Sequence, residues 1–140
     1  MKLTIFYEPP YELILDKKLT MPDLTKREKK IARDAIEKGV LAEFKVSLGE
    51  AETIIKEWRN SQLDNRQAYH KLFKAIADQD KHISRRYDGM RGSRYLLTVA
   101  AIFYDGYITE EDIKDFSEEV KEQISQWIRF WKRDEMISDS

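Results

Sequence analysis

Apolar and polar positions along this chain resolve into one extended stretch and four helical ones. From Arg94 to Tyr104, ten of the eleven residues suit an apolar interior, and Asp105-Gly106 ends the run. A helix apolar on every side must be buried on every side, so 94–104 is expected to be the post around which the chain packs. Leu41, Phe44, Leu48, Ala51, Ile55 and Trp58 recur at spacings of 3, 4, 3, 4 and 3. That spacing lays an apolar seam along one helix, and fewer than three heptads point to a bundle seam more than to a free coiled coil. Tyr69, Leu72, Phe73, Ile76, Ile83 and Tyr87 form the face of the next helix, and Ile113, Phe116, Val120, Ile124, Trp127 and Trp131 that of the last.

Punctuation sets the boundaries. Thr25 with Glu28, Asp64 with Gln67 and Thr109 with Asp112 are capping-box patterns, the last a weaker one, that open helices. Gly39 either kinks or ends the first helix, and Gly89 and Gly92 end the second. Before them, Leu3, Ile5 and Tyr7, then Tyr11, Leu13 and Leu15, alternate with their neighbours on either side of Pro9-Pro10. This reads as a strand pair with a wide loop, marginal by itself, that must rest on the helices or on another chain. The expected fold is therefore mainly α: a bundle of about four helices around the buried 94–104 helix, with a small N-terminal β hairpin or strand pair. Its parts are the β element 1–16, helices 25–62, 65–88, 94–104 and 110–132, and a frayed tail 136–140.

A length of 140 residues suits one domain with one core, taken as 1–140. The chain has no cysteine, which removes disulfides, thiolate metal sites and thiol nucleophiles and makes the cytoplasm the default location. The N-terminus is a poor secretory signal, and the 95–104 run is about half the length that spans a bilayer, so no membrane insertion is expected. Charge is uneven: residues 1–104 carry 20 Lys+Arg and 15 Asp+Glu, residues 105–140 carry 5 and 11. Such a division suits internal pairing, head-to-tail self-association or a basic face kept for an anionic partner. Lys26, Arg27, Lys29, Lys30 and Arg33 oppose the dipole of the helix they open, so local stability does not explain them.

Candidate chemistry centres on 81–95. Lys81, Arg85 and Arg86 close one helix, Gly89 and Gly92 free the backbone, and Ser93 is placed to cap the next helix beside Arg91 and Arg94. Free N–H groups at a helix start with arginines and a hydroxyl would suit phosphate, and Tyr87 and Tyr95 would add stacking faces for nucleic acid. The alternative is that these arginines bind carboxylates of the same protein. Asp105-Gly106 imitates the middle of a calcium loop, but Ala101 and Phe103 stand where oxygen ligands are required. Asp78 and His82 are four apart on one helix without a visible third ligand, and no phosphate loop, nucleophile elbow or zinc-protease motif is present. No metal or cofactor is expected.

Trp127, Phe130 and Trp131 crowd the last helix on neighbouring faces, and whichever stays exposed would mark a partner interface. The favoured expectation is a non-enzymatic protein-interaction or self-associating helical domain. A nucleic-acid or phosphate binder using the basic loop 85–94 is the alternative, and an enzyme whose carboxylate or histidine site leaves no sequence signature is the third.

Overall fold

A computed structural model describes residues 23–88, 90 and 92–138. The expected β element 1–16 lies outside them. The described residues are mainly α: α1 Lys26–Arg59, α2 Asn65–Tyr87, α3 Gly92–Tyr104, the single turn α4 Glu110–Ile113, and α5 Glu118–Ser138. The capping pairs fix the starts. Thr25 N–H donates to Glu28 Oε1 at 3.2 Å and Glu28 N–H to Thr25 Oγ1 at 3.1 Å. Gln67 N–H donates to Asp64 Oδ1 at 2.8 Å and Asp64 N–H to Gln67 Oε1 at 3.0 Å. At the third, Thr109 N–H donates to Asp112 Oδ2 at 2.8 Å. Each side chain satisfies donors that a helix start leaves open.

One open point is resolved and two expectations change. α1 runs unbroken through Gly39; an interior glycine costs only about 1 kcal/mol relative to alanine, which a long helix absorbs. Ser93 lies inside the first turn of α3, which begins at Gly92. The helix expected over 110–132 is two helices, broken at 114–117, and the second continues to Ser138. The break has a local cause: Ser117 Oγ accepts the Val120 N–H at 3.3 Å, restarting the helix, while Phe116 turns inward.

Among the described residues two compact units result, one within Glu37–Met90 and a second made of 23–36 together with 92–138. The second, the core unit, is built on α3. Leu96 to Ile102 are buried at every successive position, as an all-round apolar helix requires, and α3 packs against α5. Val120, Ile124, Trp127 and Trp131 bury the inner face of α5, and Tyr104 meets Trp131 with ring centroids 5.7 Å apart. The chain leaves α3 through Gly106, whose φ of +86° suits glycine. Gly106 N–H donates to Phe103 O at 3.1 Å and Tyr107 N–H to Ile102 O at 2.9 Å, the paired bonds of a Schellman turn. That turn makes Asp105-Gly106 a helix corner and sends Ile108 into the core.

Glu28 ties the core unit together. Its Oε1 closes its own helix start, and its Oε2 accepts the N–H of Ser117 at 3.1 Å. Position three of α5 is Val120, which cannot return to the cap backbone as a glutamate would; Glu28 supplies that bond from another helix. Burial alone would raise its carboxyl pKa. The bonds from Ser117 and Thr25 outweigh that and hold it below the ordinary 4.5.

The first unit, the hairpin unit, consists of the α1 segment from Glu37 and all of α2, joined by a turn in which Ser61 takes φ 63°. Trp58 Nε1 donates to Asn65 Oδ1 at 2.8 Å, and Lys71 reaches Glu57 at 2.9 Å. These cross-links and the one described next fix two antiparallel helices in register.

Candidate functional site

The hairpin unit carries two features that the sequence alone did not reveal. On its inner side is a buried polar cluster. Glu43, with 0% of its surface exposed, accepts from His82 Nε2 and from Arg86 Nη1, each at 3.0 Å and both at Oε1. His82 and Arg86 are four residues apart, so one face of α2 brings both to the same carboxylate. Glu43 Oε2 and the Tyr87 hydroxyl are buried without a hydrogen-bond partner. Burial pushes the Tyr87 phenol far above its ordinary value, and the neighbouring Glu43 carboxylate adds to the effect. The side chains of His82 and Arg86 are only 11% and 10% exposed, which leaves solvent little access to the cluster. Such an arrangement suits a lock on helix register better than chemistry on a substrate. Among the described residues, no three His, Asp or Glu side chains are grouped to hold a metal ion.

The second feature is an exposed apolar face. Leu41, Phe44, Leu48, Ile55 and Trp58, five of the six seam residues expected inside a bundle, are exposed on the protein, Leu48 to 68%. The side of α1 turned toward α2 instead carries Glu43, Ile54 and the half-buried Ser47. With about 100° of rotation per residue, the seam sits roughly 100° around α1 from that side. Tyr69, Phe73 and Ile76 are exposed on α2, Phe73 to 65%. They follow Ala68, Leu72 and Ala75, the half-buried residues on its inner side, by one position each. They are therefore offset in the same rotational sense. In an antiparallel pair, equal offsets of the same sense bring both stripes to one side, so the eight residues share one face of the hairpin.

The 81–94 residues are distributed as follows. Arg86 turns in to Glu43, while Lys81 and Arg85 are exposed. Arg94 is half-buried and belongs to the core unit, and the side chains of Arg91 and Ser93 lie outside the described residues. Asp78 pairs with Lys74 at 2.7 Å, not within a metal cluster. On the last helix, Trp127 and Trp131 are interior, 3% and 4% exposed, so Phe130 is the member of that trio presenting surface. Basic Lys26, Arg27, Lys29, Lys30 and Arg33 are exposed, and Lys30 pairs within its own helix with Asp34 at 3.2 Å.

The sequence carried one signal for the polar cluster, the four-residue spacing of His82 and Arg86. Nothing distinguished Glu43 from its exposed acidic neighbours. The seam was visible, but which side of α1 would be covered was not. No helix of the described residues is long and apolar enough to cross a membrane. Comparison with protein-family models, with curated proteins and with solved structures finds no match.

Proposed function

We propose that this protein is a non-enzymatic interaction module whose hairpin unit receives a helical partner on its exposed apolar face. One observation carries the reading: a seam with coiled-coil spacing, Leu41 to Trp58, lies open to solvent beside Tyr69, Phe73 and Ile76. A contiguous apolar patch of this kind is characteristic of contact surfaces, since monomers rarely leave so many large side chains together in water. The buried Glu43 cluster supports the reading by holding the two stripes in register. The absence of cysteine favours a cytoplasmic setting. Phosphate or nucleic-acid binding through the 81–94 segment draws no comparable support, because Arg86 is committed to an internal carboxylate.

Site-specific photo-cross-linking in cells tests the proposal. A photoreactive residue at Leu48 is expected to capture a partner, and one at Thr53, exposed on the far side of α1, is not. No adduct from Leu48, or equal adducts from both positions, overturns the reading.

A further inference from the structure

Resting on that reading, we infer that the occupant of this face is a second copy of the chain, laid antiparallel against the first. The seam reads as heptad positions a (Leu41, Leu48, Ile55) and d (Phe44, Ala51, Trp58). Antiparallel packing sets a against d. With the seam fully overlapped, the layers are Leu41 with Trp58 of the other copy, Phe44 with Ile55, and Leu48 with Ala51, each occurring twice by symmetry. Every layer is apolar, and the smallest residue, Ala51, falls next to the twofold axis, where the helices can approach closely.

Near the twofold axis this arrangement offers a charge complementarity that the parallel one lacks. In the antiparallel register the e positions flank the seam in pairs, bringing Lys45 of each copy to Glu52 of the other. Both are exposed, and the described partner of Glu52 is Lys56, a solvated contact at 3.5 Å on its own helix. A parallel pair would instead set e against g, and the g positions here are Val40, Ser47 and Ile54, which offer no countercharge. Beyond the last apolar layer Lys38 meets Arg59 of the other copy, a solvated like-charge contact that offsets part of this gain.

The second stripe extends the same interface. Lys71 opposite Glu57, and His82 and Arg86 opposite Glu43, set the levels along the hairpin. On those levels Tyr69 stands beside Trp58, Phe73 beside Ile55 and Ile76 beside Ala51, so they flank Leu41, Phe44 and Leu48 of the antiparallel copy. Two hairpins stacked in this way form a four-helix bundle with the seams inside, the usual means by which an amphipathic hairpin buries a second face.

Sedimentation equilibrium of the full chain, with charge-reversed variants, decides the matter. The wild type is expected to dimerise reversibly, and Leu48→Glu to be monomeric. Lys45→Glu and Glu52→Lys singly should each weaken the dimer by on the order of ten-fold, since each converts two attractions into repulsions. The double reversal should restore it. Because the protein has no cysteine, Lys45→Cys/Glu52→Cys should give a disulfide-linked dimer on oxidation and neither single cysteine should. These residues are exposed, so the variants leave the fold intact, which circular dichroism checks. A wild type that stays monomeric at every concentration, a dimer indifferent to Leu48→Glu, or a disulfide dimer from Lys45→Cys alone overturns the inference. A monomer whose Leu48 probe still captures another protein sinks the second copy and leaves the interaction face standing. A monomer whose probe captures residues 1–22 of its own chain sinks both in favour of an internal cover.

Discussion

The two units of this protein spend their apolar residues in opposite ways. The core unit buries them: Leu96 to Ile102 are closed on all sides, and the last helix turns Val120, Ile124, Trp127 and Trp131 inward. The hairpin unit buries Ile54 and Ile83 but displays most of its large apolar residues, and it places a glutamate, a histidine and an arginine in its interior. Hydrophobic burial is non-directional and stabilises whatever collapse is available, whereas a buried ionic cluster specifies one register at a cost in stability. The core unit is therefore held mainly by apolar burial, while the hairpin unit has its register specified by a buried ionic cluster and keeps an apolar face exposed.

Substitutions can break that contrast. The largest effect is expected from Glu43→Ala, which leaves His82 and Arg86 buried without their carboxylate and should destabilise the hairpin by about 3–5 kcal/mol. Hydrogen exchange of α2 amides resolves this unit by unit, and protection should fall there while α3 keeps its own. Leu97→Ala, at one of the most deeply buried positions of α3, should destabilise by about 2–5 kcal/mol through lost transfer energy and cavity formation, with the loss confined to the core unit.

Glu28→Gln comes next. A carboxyl held below its ordinary 4.5 contributes stability that is present above that value and lost as pH falls through its folded-state value. The glutamine variant, lacking the charge shared by two helix starts, should be less stable at neutral pH by about 0.5–2 kcal/mol. That gap should narrow on the acid side of 4.5, as thermal melts across that range would record. The smallest effect is expected from Phe73→Ser or Leu48→Gln, exposed residues whose replacement should change the stability of the dilute monomer by about 0.5 kcal/mol or less. Chemical denaturation at low concentration checks this; a loss comparable to Leu97→Ala would mean that the face is already covered within the chain.

How much of this was legible in the sequence differs between the units. Caps are local, and Thr25 with Glu28, Asp64 with Gln67, and the Asp105-Gly106 corner could all be read from a few neighbouring residues. The all-round apolar run of α3 left no choice of face, so its burial followed from composition alone. α1 offered a choice: its seam is more apolar than the side bearing Glu43, and periodicity measures amphipathicity without saying whether the partner belongs to the same chain. The rule that the most apolar side faces the core fails here at Leu48 and Phe44. The break before Ser117 is only half legible: the serine can cap Val120 locally, but position three lacks the glutamate of a capping box, and the bond that replaces it comes from Glu28, distant in sequence.

Acrylamide quenching of tryptophan fluorescence against protein concentration shows whether the apolar face is open on the single chain and closed by association. Trp58 lies on that face and is 42% exposed, while Trp127 and Trp131 are buried and give a shielded background. Quenching should be strong in dilute protein and should fall as concentration rises, and Leu48→Glu should remove that fall. Quenching that is weak or strong alike at every concentration would mean that association does not close this face.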